Sequence, residues 1–294
     1  MRDDFAVFIL THGRADRVVT VDTLKRCGYT GKWYIVIDDE DEQEGQYRRK
    51  YKERVVQFSK LEIASKFDTM DLSQERRTIV YARNACFDIA KQLGLKYFLE
   101  LDDDYKSFEF RYIQGRKLMV KSVKDMDRIC EIMLSFLQES GAITVAMAQG
   151  GDFIGGMNSG NYQKGILRKA MNSFFCDVNK PFQFVGRINE DVNTYVSLGS
   201  RGNKIFSVTN VSLTQITTQQ NLGGMSDVYL DMGTYLKSFF TVMIAPSCVK
   251  IAMMGDKHKR LHHNVSWNNA VPLILNEKYK KRRGTVWQEE KVEQ

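Results

Sequence analysis

Tyr97-Phe98-Leu99-Glu100-Leu101-Asp102-Asp103-Asp104 is a short apolar run that stops on three consecutive acids. A run of this length, bounded by turn residues, reads as a buried strand. Before it comes a segment with helical spacing. Ile79, Ala82, Cys86, Ile89 and Leu93 recur every three or four residues, Ser73 offers an N-cap, and Gly94 closes the element. The pattern predicts a helix over 74–93 with one buried face. The same alternation occurs nearer the N-terminus. Phe5-Ala6-Val7-Phe8-Ile9-Leu10 breaks into Thr11-His12-Gly13-Arg14, and a short helix carrying Val18, Val19, Val21 and Leu24 ends near Gly28. Trp33-Tyr34-Ile35-Val36-Ile37 then runs into Asp38-Asp39-Glu40-Asp41. Apolar strands alternating with helices make βαβ units on a parallel sheet.

Downstream, residues 122–139 read as a helix with Ile129, Ile132, Met133, Phe136 and Leu137 on one face. Ile143 to Met147 reads as a strand opening into the glycine-rich 149–156 segment, and Ser173 to Val178 and Ile205 to Val211 as later strands. Between those two, Ile188-Asn189-Glu190-Asp191 opens a helix that runs through Leu198 to Gly199. Residues 43–60 are polar and basic, and 215–227 are expected to form a loop. The glycines at 150–156 and 221–225 are not followed by Gly-Lys-Ser/Thr, so neither segment is a P-loop.

The 294 residues are 43% hydrophobic and 27% charged, ordinary values for a globular α/β protein. No apolar run reaches the roughly 20 residues of a membrane helix. Met1-Arg2-Asp3-Asp4 is too acidic and too short for a leader, so the expectation is a cytoplasmic protein. The five cysteines, Cys27, Cys86, Cys130, Cys176 and Cys248, are odd in number and dispersed. That excludes a disulfide framework and a zinc knuckle and predicts buried thiols. The net charge of +7 favours polyanionic partners, nucleic acid above all. It is also the kind of excess that keeps a protein soluble.

Ligands of open α/β sheets bind beyond the carboxyl ends of the strands. Here those ends carry Thr11 and Arg14, Asp38 and Asp39, and Asp102 to Asp104. Carboxylates two apart at a strand end, Asp102 and Asp104, can share a hard divalent cation, Mn²⁺ or Mg²⁺, with a diphosphate. Three adjacent acids also repel one another, a cost that a cation relieves.

Tyr81-Ala82-Arg83-Asn84-Ala85, followed by Ala90, Gly94 and the strand ending in Asp102-Asp103-Asp104, resembles the GT-A glycosyltransferase pattern of an Ala-Arg-Asn helix and a D-x-D strand. The resemblance implies a Rossmann-like α/β/α sandwich with a mixed sheet. It also implies one catalytic domain over 1–275, with a nucleotide-sugar half at 1–105, an acceptor half at 106–275 and a basic tail at 276–294. Arg83, Asp102 and Asp103 would surround the nucleotide-sugar, Thr11, His12 and Arg14 would sit at the base, and Asp38 and Asp39 at uracil or ribose. Asn189-Glu190-Asp191 resembles the x-E-D motif of inverting members, in which the position of Asp191 is the general base beside Glu190. At a helix N-terminus the macrodipole is expected to lower its pKa and leave it a weak base. A late histidine joins Asp102 and Asp104 at the metal in many members. His258, His262 and His263 are the candidates, and since only one of an adjacent pair faces a given side of an extended segment, His263 is favoured. Taken from Ile9 through Asp191 to His263, the pattern is similar to the TET-associated branch, mostly from bacteriophages. That branch implies a UDP-sugar donor and double-stranded DNA carrying 5-hydroxymethylcytosine as acceptor. The basic clusters at 48–54 (Arg48, Arg49) and 278–283 (Lys280, Arg282) fit a DNA acceptor. A glycan or protein acceptor, a sugar nucleotidyltransferase and a catalytically silent DNA-binding module remain as competing readings. Thr11-His12-Gly13-Arg14 fits poorly with the glycine-rich loop of a nucleotidyltransferase.

Overall fold

The computed structural model describes residues 1–71, 76–215, 225–255 and 259–271. The N-terminal half runs β1 (Phe5–Leu10), α1 (Val19–Arg26), β2 (Lys32–Asp38), α2 (Glu44–Tyr51), β3 (Val55–Phe58), α3 (Lys60–Ala64), α4 (Val80–Gln92) and β4 (Tyr97–Asp102). Next come the hairpin β5 (Tyr105–Gln114) and β6 (Lys117–Ser122), then α5 (Met126–Ser140), β7 (Thr144–Gln149), α6 (Gly160–Lys164), β8 (Ile166–Leu167) and β9 (Ser173–Asp177). The chain continues through α7 (Glu190–Ser200), β10 (Ile205–Gln215), α8 (Met225–Ile244), β11 (Val249–Met254), β12 (Arg260–Val265) and α9 (Trp267–Ala270).

One sheet has the order β3-β2-β1-β4-β9-β7-β10-β5-β6, with β8 pairing β10, and β11-β12 form a separate ribbon. β3, β2, β1 and β4 are parallel, while β9 is antiparallel to both β4 and β7. The mixed α/β sheet is therefore as expected. It crosses the 105/106 boundary between the two expected halves without interruption, and the tail at 276–294 lies outside the described residues.

β1 explains the layering. All six of its residues are buried, as in a strand covered on both faces. Phe5, Val7 and Ile9 enter one core with α1 and α5, through Val21, Leu24, Met126, Cys130 and Leu137. Ala6, Phe8 and Leu10 enter the other with α4 and α7, through Val80, Cys86, Ile89, Val192 and Val196. Alternation along the strand thus sends successive residues into opposite helix layers. The chain leaves β1 toward β2 and β3, then returns to its other side as β4. That reversal is a switch point at the paired ends Leu10 and Asp102, the place where ligands of open α/β sheets bind. All five cysteines are free and buried, as read from the sequence.

Two boundaries differ from the sequence reading. The helix predicted from 74 starts at Val80, because the residues before it are tied elsewhere: Thr78 Oγ1 donates to the Arg187 carbonyl and Arg76 pairs with Glu40. Ser73 lies outside the described residues. Gly199 does not stop α7, which continues to Ser200. Instead, a Cβ there would come within 2.7 Å of the Ala270 carbonyl, so this glycine lets α9 approach. The sequence reading also passed over β3, the β5-β6 hairpin, α8 and the β11-β12 ribbon.

Gly28 follows α1 with φ +80, and an added Cβ would meet the Lys124 carbonyl oxygen at 2.4 Å. Next to it, Met126 N donates to the Cys27 carbonyl and ties α1 to the start of α5. Gly28→Ala therefore combines a left-handed backbone cost of about 1–2 kcal/mol with an overpacking cost of about 1–3 kcal/mol. Chemical denaturation should register that loss, and an unchanged midpoint would contradict the packing described.

Candidate active site

Arg83 projects from α4 and is 1% exposed. Its Nε donates to Glu190 Oε1 at 3.2 Å, Nη2 to Asp102 Oδ1 at 3.1 Å and Nη1 to Glu100 Oε2 at 3.5 Å. The guanidinium also lies over the Phe174 ring at 4.7 Å. Burial disfavours its charge, but Asp102, Glu190 and Glu100 outweigh burial and hold it protonated. Glu100 is fully buried, and burial pushes it up to about 8 against the pull of Arg83. The guanidinium joins the end of β4 to the start of α7 across the sheet edge. Arg83, expected to contact the nucleotide, thus directs its donors at carboxylates.

Asp102, Glu190 and Asp191 line a cavity of about 990 Å³ together with His262, His263 and Trp267. Asp191 is 9% exposed in the first turn of α7. Burial raises its pKa despite a hydrogen bond from Val192 N and the nearby charges of Arg83 and Lys237. Burial raises Glu190 as well, reinforced by Asp191. The expectation that the helix start lowers the Asp191 pKa is corrected: burial raises it. The expectation that only one of the adjacent histidines faces the site is also corrected. Their rings stack at 4.3 Å and both line the cavity. Burial, His262 and Lys237 hold His263 down to about 4, so its ring is neutral. His263 Nδ1 and Gln149 Nε2, both on cavity residues, are buried with no hydrogen-bond partner among the described residues. His258 lies outside the described residues.

The remaining expected residues form two networks beside the cavity. Asp103 turns inward, accepting from Thr11 Oγ1 at 2.6 Å and Arg14 Nη1 at 3.1 Å. The Tyr47 hydroxyl, which accepts from Arg14 N, stands 3.0 Å from Thr11 Oγ1. This network locks the loop after β1 onto the turn after β4. Separately, His12 Nδ1 lies 2.8 Å from Asp38 Oδ2, and the buried Lys60 ammonium lies 3.0 Å from Asp38 Oδ1. Asp39 Oδ1 accepts from Lys60 N. Tyr47 and Lys60 were missed, since nothing in their sequence surroundings marks a lone tyrosine or lysine as a buried partner. Arg48 is engaged by Glu44 on its own helix. Neither Arg48 nor Arg49 lines the cavity, and Lys280 and Arg282 lie outside the described residues. The exposed cations that do line it, Lys164 and Arg168, were missed because they are spaced out between glycine and apolar residues.

The donor set suits a hard cation. Burial pushes Asp104 up to about 7, with Asp102 and Asp103 adding to it, and burial pushes Asp102 up to about 6 against the pull of Arg83. A cation stabilises the ionised form of such carboxyls, and the unpartnered, neutral His263 nitrogen is chemically competent to join them. Among the described residues no three His, Cys, Asp or Glu side chains are grouped closely enough to hold an ion unaided. Mg²⁺ characteristically keeps one or two carboxylates and takes its other oxygens from water and substrate phosphates. Asp104, unlike Asp102, is not part of the cavity wall.

The hydrogen bond to Asp38 raises the His12 pKa above 6.5, outweighing burial and Lys60. A raised folded-state pKa gives stability that is fully present below 6.5 and is lost as pH rises through the folded value. Asp38→Asn should bring the His12 titration, followed by NMR, to or below 6.5 and flatten that part of the thermal stability profile. An unshifted titration would contradict the pairing.

No curated protein matches the sequence. Among solved structures, a mycobacterial protein aligns at TM-score 0.44 and 9% identity, covering 89% of this chain and 83% of its own. The glucosyl-3-phosphoglycerate synthase of Mycobacterium tuberculosis with Mg²⁺ and UDP aligns at 0.42 and 10%, covering 89% and 87%. The same enzyme with Mn²⁺ and UDP-glucose aligns at 0.44 and 10%, covering 88% and 85%. No helix among the described residues is long and apolar enough to cross a membrane. The family model of the TET-associated glycosyltransferases matches residues 5–224, and the chain belongs to that family of glycosyltransferases.

Proposed function

We propose that this enzyme moves a sugar from a UDP-sugar to the hydroxymethyl oxygen of 5-hydroxymethylcytosine in phage DNA, with inversion at the anomeric carbon. The observation that carries the reading is Asp191: a buried carboxylate of raised pKa on the same cavity wall as Asp102 and Glu190. The acceptor follows from the family's association with TET-type dioxygenases, whose product carries that hydroxyl, and from the net charge of +7. The setting would be the cytoplasm of an infected bacterium.

The uridine diphosphate lies across the ends of β1, β2 and β4. Thr11, His12, Arg14, Asp38, Asp39 and Asp103 shape the nucleotide side, and Arg83 fixes Asp102 and Glu190. A Mn²⁺ or Mg²⁺ ion shared between the phosphates of the donor and Asp102, with Asp104 and His263 as its further candidate ligands, would neutralise charge on the departing diphosphate. Asp191 accepts the hydroxyl proton as the acceptor oxygen bonds to the anomeric carbon. The bond from that carbon to the β-phosphate oxygen breaks, and UDP leaves with the electron pair. The raised pKa of Asp191 serves this step, because a base works best when its pKa approaches the working pH.

Asp191→Asn should lower turnover by about 10²–10⁴-fold while UDP affinity, measured by calorimetry, stays within a factor of two or three. Normal transfer by that variant would remove Asp191 as the base. Asp104→Ala should weaken UDP binding in Mn²⁺ and leave binding in EDTA little changed. Equal affinities for Mn²⁺-UDP in variant and wild type would remove Asp104 from the metal.

A further inference from the structure

The segment between β7 and β9 supplies one wall of the cavity and carries an unusual pair of features. Ile154 and Ile166 line the cavity yet are 77% and 45% exposed. Met254 and Trp267 line the cavity too, the latter stacked on Tyr195 at 5.8 Å. Isolated exposed apolar residues are ordinary, but several around one concave mouth mark a binding surface. Lys164 and Arg168 sit on the same wall, both exposed and without a partner among the described residues. An occupant must therefore offer flat apolar faces and anionic groups close together, which is the chemistry of a nucleotide strand.

The wall is built to stay in place. Buried Asp152 accepts from Gln149 N, Asn161 Nδ2 and Lys169 Nζ. Ser159 Oγ donates to the Asp152 carbonyl at 2.7 Å. Behind Ile154, Phe153 is covered by the Arg111 guanidinium at 3.9 Å. Gly155 and Gly156, at φ +96 and +58, turn the chain directly after Ile154 and leave that side chain at the tip. A rigid mount with an apolar tip is what wedge residues need to part stacked bases.

Asp191 is 9% exposed and lines the cavity beside Asp102 and Glu190, so an acceptor hydroxyl has to enter the cavity to meet it. A cavity of about 990 Å³ stands at the upper end of small-molecule sites and has room for a donor and one base together. Resting on the DNA-acceptor reading above, we propose that the modified cytosine is everted into this cavity. Ile154 wedges into the stack it leaves, Trp267 stacks on the everted base, and Lys164 and Arg168 hold the flanking phosphates.

The test uses the full-length enzyme on 5-hydroxymethylcytosine DNA as a duplex, as a single strand, and as a duplex with 2-aminopurine beside the target. With wild type, 2-aminopurine fluorescence should rise several-fold on binding. Ile154→Ala should lower the duplex-to-single-strand ratio of kcat/KM by about ten-fold and abolish the fluorescence rise, with Ile154→Leu restoring both. Lys164→Gln combined with Arg168→Gln should reduce the slope of log affinity against log salt by about 2, near 0.9 for each lost phosphate contact. Transfer to duplex with silent 2-aminopurine would overturn eversion, and equal losses on duplex and single strand would overturn the wedge. An unchanged salt slope would remove the two cations from the phosphates. Sugar transfer to another acceptor with no transfer to either DNA form would overturn the DNA reading itself, a separate result from a stacked reaction.

Discussion

One buried guanidinium organises this site. Arg83 meets Glu190, Asp102 and Glu100, which come from the start of α7, the end of β4 and the interior of the same strand. A buried cation of this kind is stable only when opposite charge surrounds it, and truncating one partner of a buried pair costs about 3–5 kcal/mol. The demand works in both directions. Three carboxylates crowded against one another would repel without Arg83, and Arg83 would not be tolerated at 1% exposure without them. This edge of the sheet is therefore assembled as a consequence of balancing one charge inside the fold.

That balance does not return every carboxyl of the site to its ordinary range. Asp102 and Asp104 sit at about 6 and 7, raised mainly by burial, and Asp191 is raised for the same reason. Desolvation is thus the dominant influence on these three carboxyls. Asp103 is raised by burial as well, but it differs from its neighbours in its partners. Its oxygens accept from Thr11 and Arg14, so it serves as the peg that holds the first loop against the sheet. Within the run of three acids, Asp102 is thus held by Arg83 and Asp103 by Thr11 and Arg14.

Much of this was legible in the sequence where burial is complete. β1, β2 and β4 are short apolar runs ending in polar residues, and α7 announces itself with Glu190 and Asp191 in its first turn. The β5-β6 hairpin escaped because its apolar residues are not hidden: Phe110, Ile113 and Val120 are 40%, 52% and 48% exposed at the sheet edge. Its pattern therefore carries no buried-strand signature. The start of α4 was misplaced since periodicity cannot reveal that Thr78 bonds to a carbonyl 109 residues away. The role of Gly199 was misread because close approach of α9 is a tertiary fact. Charge runs also misdirected attention. Arg48 is bound to its own helix, whereas Lys164 and Arg168 reach the cavity from a segment with no dense run of charge.

The most direct test of the central claim is UDP release in Mn²⁺ across a panel of UDP-sugars, with DNA that carries or lacks 5-hydroxymethylcytosine. The account predicts release with one sugar and only with the modified DNA, and recovery of that sugar on the base. Release that is indifferent to the DNA, or absent with every donor, would contradict it.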